Sequence, residues 1–236
     1  MHSIYQSAIY EVVECHSKQI FIFEKHNMAL PAWGTVAAQR ETPLPLVTFD
    51  THTDTRDPFT RDKFSGEYDA DEVKKFYCER SDFAFDKALQ LSLCWVEYDE
   101  QIKLSCKCGY LSGYTTIFDT DHTGVDEASS MEEYDRGQKY NAHYISREKW
   151  NAEYSEIVKN LSLPCVLDFD LDYFRCAADM DDNFFASIRP LVKNAVAITI
   201  AREPECFESV NIDPSFTNQV ALEMLIKGIE SILESE

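Results

Sequence analysis

Two short stretches carry residues that could do chemistry together. The first is Phe49-Asp50-Thr51-His52-Thr53-Asp54, directly after the apolar run from Leu44 to Phe49. In extended chain, residues i, i+2 and i+4 point to one side. Asp50, His52 and Asp54 are therefore expected to present two carboxylates and an imidazole in one direction. The second is Val166-Leu-Asp-Phe-Asp-Leu-Asp-Tyr-Phe174, where Asp168, Asp170 and Asp172 alternate with apolar residues. Carboxylates that point together raise one another's pKa, and a divalent cation removes that conflict. The bland readings are a polar turn for the first stretch and a solvated edge for the second. The interleaved Phe169, Leu171, Tyr173 and Phe174 argue against a wet strand. A two-metal site needs several ligands, some bridging, with the ions about 3.5–4 Å apart. Mixed carboxylate and imidazole suits Mn²⁺, with Fe²⁺ or Zn²⁺ as competitors. The two stretches supply most of such a set, so a further ligand must come from another loop.

What would position these side chains is a set of short apolar runs. Gln19–Phe23, Leu44–Phe49, Leu163–Phe169 and Ala195–Ala201 read as buried parallel strands. Helical patterns cover 71–91, 147–160 and 216–234, with another helix-like stretch at 182–194. This alternation predicts a three-layer α/β/α sandwich with a mainly parallel sheet. In such sheets ligands gather at the C-terminal ends of strands, which is where both acidic stretches fall. Residues 1–236 read as one domain, with a Gly/Asp/Ser-containing insertion or lid expected at about 93–140.

Bulk properties narrow the partners. The chain has 236 residues, 44% of them hydrophobic, with 22 Lys+Arg against 42 Asp+Glu and a formal net charge of −20. Such a surface repels nucleic acid and anionic membranes and attracts cations. Solubility alone is the bland reading of that charge, and a cationic substrate, such as a guanidinium or amine on a peptide, the sharper one. No stretch is apolar enough to span a bilayer, and the first residues lack the apolar segment of a signal peptide. The eight cysteines form no CxxC pair, and reduced cysteines in a cytoplasmic protein are expected.

The Asp-Thr-His-Thr-Asp of 50–54 resembles the Asp-Ala-His-x-Asp motif of the arginase/agmatinase (ureohydrolase) superfamily. Leu167-Asp-Phe-Asp-Leu-Asp-Tyr-Phe174 resembles its second motif, Ser-Phe-Asp-Val-Asp. That superfamily carries a further ligand histidine some two dozen residues before the first motif, and His26 stands 24 residues before Asp50. The resemblance implies two Mn²⁺ ions, one on His26, Asp50, Asp54 and Asp170, the other on Asp50, His52, Asp170 and Asp172. The pair Asp168/Asp170 also fits the second motif. The hydrophobic residues that follow favour Asp170/Asp172, leaving Asp168 where the superfamily carries Ser.

The compact size and the segment Glu24-Lys-His-Asn-Met-Ala-Leu-Pro31 are most similar to peptide arginases. This implies hydrolysis of the guanidino group of arginine, giving ornithine and urea, in a precursor peptide. Free arginine, agmatine or another cationic guanidino substrate is an alternative, as is amide hydrolysis of the related deacetylase type or a non-enzymatic metal-binding module. Two catalytic candidates follow. Glu203, after the run Ala195–Ala201, resembles a glutamate that faces the guanidinium; Glu205, or a surface Arg202–Glu203 ion pair, is the competing reading. No histidine occurs between 53 and 121, so the superfamily's proton-shuttle histidine has no counterpart, and His143 or His122 is the candidate in its place.

Overall fold

The computed structural model describes residues 10–59, 75 and 84–235. Among them run seven strands: β1 (Tyr10–Cys15), β2 (Lys18–Phe23), β3 (Leu44–Phe49), β4 (Leu111–Phe118), β5 (Ala142–Ser146), β6 (Cys165–Asp170) and β7 (Ala195–Ala201). They form one sheet in the order β1-β2-β7-β6-β3-β4-β5. Strand β1 is an antiparallel edge on β2, and every other pair is parallel. All four apolar runs read from the sequence lie in this sheet.

Each strand alternates its side chains between two apolar layers, as a pleated strand must. Ile20, Ile22, Val47, Phe49, Leu167, Phe169, Ile198 and Ile200 face one layer. Helices α5 (Arg147–Asn160), α6 (Asp182–Asn194) and α8 (Asn218–Glu234) contribute Trp150, Ile188, Leu191, Leu225 and Ile229 to it. The opposite face, with Phe21, Phe23, Leu46, Val166 and Ala197, packs on α1 (Ala29–Ala38), α2 (Ala84–Cys94) and α3 (Gln101–Cys108). This is the three-layer α/β/α arrangement expected. The remaining helices, α4 (Val125–Gly137) and α7 (Pro204–Val210), lie close to the C-terminal ends of the strands. Side-chain caps fix three helix starts: Ser146 for α5, Asp181 for α6 and Thr217 for α8.

Two expectations change. The stretch at about 93–140, read as an insertion or lid, supplies α3, β4 and α4, and β4 is an interior strand between β3 and β5. The two strands expected in this stretch, as a small hairpin, are replaced by this one strand, parallel to both its neighbours. Second, Cys15, Cys94, Cys106, Cys165, Cys176 and Cys206 are free thiols, but Cys108 is disulfide-bonded. Spacing rules detect local cysteine pairs and are silent on distant ones, so the reduced-cysteine argument for a cytoplasmic compartment does not extend to Cys108. Most of the helix read at 71–91 lies outside the described residues. No described helix is long and apolar enough to cross a membrane.

The topology fixes where a ligand can sit. From β3 the chain moves outward through β4 and β5, then returns to lay β6 against the other side of β3. The crevice at the C-terminal ends of β3 and β6 is the switch point of the sheet. Beneath it Phe169 stacks on Phe49 at 5.3 Å, and Phe49 meets Trp150 edge-on at 5.1 Å. Replacing Phe169 by Ala is expected to cost about 3–5 kcal/mol, read as a lower urea midpoint. An unchanged midpoint would show that this aromatic cluster does not support the crevice.

Candidate metal centre

Three strand ends and three turns bring the acidic residues together. Strand β3 stops at Phe49, and Asp50 N–H is held by the carbonyl of Ile117 on β4. Asp50 Oδ1 then accepts from His52 N–H at 2.7 Å. At the end of β6, Asp170 Oδ1 accepts from Asp172 N–H at 3.1 Å in the same way, opening a 3-10 turn over Leu171–Tyr173. Both motifs are thus aspartate turns, in which the first carboxylate caps the N–H two residues on. This corrects the expectation of extended chain for 50–54: a turn, not the strand pleat, puts Asp50 and His52 side by side. Asp54 sits at φ +47°, a left-handed conformation that Asp tolerates better than most residues.

The third turn is another 3-10 segment, His26–Met28, just after β2. Its first N–H, on His26, donates to Glu203 Oε1 at 2.8 Å. Glu203 itself follows β7 with φ +35°. It is fixed there by its own N–H on the Glu24 carbonyl.

Two overlapping groups result. His26, Asp50 and Asp170 form one, and Asp50, His52 and Asp172 the other; within each, one ligand atom per residue lies within 4.8 Å of the rest. Each group could hold a metal ion, with Asp50 common to both. Asp54 belongs to neither, but its Oδ2 lies 2.8 Å from His26 Nδ1 and accepts from Gln101 Nε2 at 3.0 Å. The second group is braced by Thr51, whose N–H donates to Asp172 Oδ1 and whose hydroxyl donates to the Asp172 carbonyl. Except for His52, which is 46% exposed, these side chains are buried.

Unpartnered atoms mark where a cation fits. His26 Nδ1 lies 2.8, 3.3 and 3.5 Å from oxygens of Asp54, Asp170 and Asp50, yet makes no hydrogen bond, and neither does Asp50 Oδ2. A lone pair and several carboxylate oxygens aimed at one point are what a hard or borderline divalent ion accepts.

A cavity of about 430 Å³ opens on the cluster. It is lined by Asp54, Asp170, Asp172, Glu203 and Cys206 together with Arg56, Tyr98, Glu127 and Met131. Glu203 is 4% exposed, so the surface ion-pair reading fails: Arg202 pairs with Glu24 instead, at 2.9 Å. Glu205 points away, its side chain 90% exposed beside Lys25. His143 is not brought to the site. It lies on edge strand β5 with its side chain 55% exposed, 3.8 Å from Glu132. His122 is the described histidine beside the candidate ligands, its ring 5.5 Å from that of His52. The sequence reading had no signal for Gln101, which falls in no charged motif, or for Thr51, a neutral residue inside the 50–54 motif whose partner Asp172 lies 121 residues away.

Comparison with models of known protein families and with curated proteins finds no match to this chain. The site therefore stands on its own geometry.

Without a cation the cluster would hold protons. Burial, with the charges of Asp54 and Asp172, keeps Asp50 well above the usual carboxylate range. Burial and Asp172 do the same to Asp170. Contacts with Asp172 and Asp50 push His52 up to about 11. Burial opposes charge on His26, but Asp168, Asp170 and Asp54 outweigh it and hold its pKa well above the ordinary value. All four groups bind protons more tightly folded than unfolded. In chelator, their contribution to stability is present at low pH and lost as pH rises from the carboxylate range past the ordinary histidine value. A metal replaces those protons, so the rise in Tm on adding Mn²⁺ to chelated protein is expected to grow between about pH 6 and pH 8.5. A gain independent of pH would contradict this reading.

Proposed function

We propose that the chain is a divalent-metal-dependent hydrolase that cleaves a guanidino group, converting arginine in a peptide to ornithine and urea. The observation that carries the reading is the buried Glu203 carboxylate in the same cavity as the two overlapping His/Asp groups.

His26, Asp50, Asp54 and Asp170 would hold one ion, and Asp50, His52, Asp170 and Asp172 the other. Ions bound there would supply Lewis acidity and bring the pKa of a water toward neutrality. Their four positive charges would be balanced by the carboxylates of Asp50, Asp54, Asp170 and Asp172. Arg56 is offset by Asp99 at 3.5 Å, so Glu203 and Glu127 would then leave the cavity net negative, which favours a cationic substrate. Glu203 Oε1 accepts from His26 N–H and Oε2 from the Cys206 thiol at 3.1 Å. Each oxygen keeps a free lone pair, so the carboxylate can still take two guanidinium N–H groups in a fork. That grip would hold the guanidinium carbon in the cavity that Asp170 and Asp172 also line. Hydrolysis adds one water across the C–N bond, releasing urea and leaving the side-chain amine. Arg56, Tyr98 and Met131, which also line the cavity, offer contacts to neighbours of the reacting residue, which supports a peptide over a free amino acid.

The test is mass spectrometry of an arginine-containing peptide incubated with the Mn²⁺-loaded protein. Ornithine and urea are expected, and chelation should abolish both. Acetate from an acetyl-lysine peptide would point to amide hydrolysis, and no turnover of either would overturn the assignment. Glu203→Gln is expected to retain its metal while kcat/KM falls about a hundredfold, the equivalent of losing a buried charged contact worth about 3 kcal/mol. Wild-type turnover in this variant would remove Glu203 from the substrate site.

A further inference from the structure

We propose that Asp168 is a positioning residue that fixes the tautomer and aim of His26. The inference rests on the metal-binding reading of the cluster, not on any substrate.

The sheet register supplies the first part of the argument. Thr48 on β3 and Thr199 on β7 are the direct neighbours of Asp168 on β6. Asp168 shares a face with Asp170 but stands two residues, about 6.6 Å, below it on the strand. A polar row, Thr48–Asp168–Thr199, therefore crosses the sheet one layer beneath the candidate ligands. All three residues are completely buried.

The hydrogen bonds of this row have one self-consistent direction. Trp33 Nε1 can only donate, and it does so to Thr199 Oγ1 at 3.3 Å. Thr199 donates in turn to Asp168 Oδ1. Thr48 donates to Asp168 Oδ2 at 2.7 Å. The carboxylate can only accept, and its remaining contact is His26 Nε2 at 2.9 Å. Nε2 must therefore carry a proton, and in neutral His26 the lone pair lies on Nδ1. That atom is the unpartnered one aimed at Asp50, Asp54 and Asp170. A chain of donors running from Trp33 thus ends by presenting a metal-ligating lone pair. The carboxylate also makes the imidazole more basic, as an acidic partner behind a ligand histidine does.

The test titrates chelated wild-type protein and Asp168→Asn with Mn²⁺ alone by calorimetry. Wild type is expected to bind two ions. In Asp168→Asn the affinity of the His26/Asp50/Asp170 group should fall about 10–100-fold, with the Asp50/His52/Asp172 group unchanged. Equal affinities in the two proteins would overturn the proposal while leaving the metal reading intact. A wild-type protein that binds neither ion would sink that reading and this proposal with it. If Asp168→Asn does not fold, nitrogen NMR of wild-type protein loaded with diamagnetic Zn²⁺ decides the matter. His26 should be protonated on Nε2 and metal-bound through Nδ1, and the opposite tautomer would refute the role of Asp168.

Discussion

The structure depends on resolving one electrostatic conflict: four carboxylates, Asp50, Asp54, Asp170 and Asp172, converge at the buried ends of two neighbouring strands. Two like charges 4 Å apart repel by about 4 kcal/mol at an effective dielectric of 20. A few such pairs rival the whole stability of a domain, about 5–15 kcal/mol. Among the described residues, the only basic side chains within 4 Å of these four are His26 and His52. Protons or metal ions must make up the difference. The turns, the Thr51 brace and the Gln101 contact hold the charged groups together despite that repulsion.

Other buried acids in the molecule are treated differently, and the contrast separates site from scaffold. Asp119 has Arg147 at 3.5 Å and Arg175 at 3.7 Å. Arg147 also lies over the Tyr173 ring and bonds the Tyr173 carbonyl. Asp135 has Lys103 at 2.6 Å and takes the hydroxyls of Tyr114 and Tyr144; Tyr144 reaches on to Thr55, beside Asp54. These pairs are neutralised within the protein and brace the loops after β3 and β4. Among the described residues, the four strand-end carboxylates have no Arg or Lys within 4 Å and share only His26 and His52. An uncompensated buried charge is costly, so its presence here is better explained by a ligand than by stability.

Much of this was legible in the sequence because the relevant signals are local. Apolar runs of five to seven residues located the inner strands, and the spacing of acids after Phe49 and within 168–172 located the turns. What escaped depended on tertiary pairing. The place of β4 inside the sheet escaped, because strand order is set by pairing with β3 and β5, which lie far away in the chain. His143 and His122 were indistinguishable as isolated histidines; the order of the strands put one on an exposed edge and the other beside His52. Asp168 looked like a spare carboxylate, since its threonine and histidine partners lie 120, 31 and 142 residues away in the chain.

The central claim is that the strand-end cluster holds divalent ions. Elemental analysis of the intact protein, equilibrated with Mn²⁺ and freed of unbound ions, tests it most directly. About two ions per chain are expected, as for a two-metal site with shared carboxylates. Protein that retains no ion under these conditions would contradict the account.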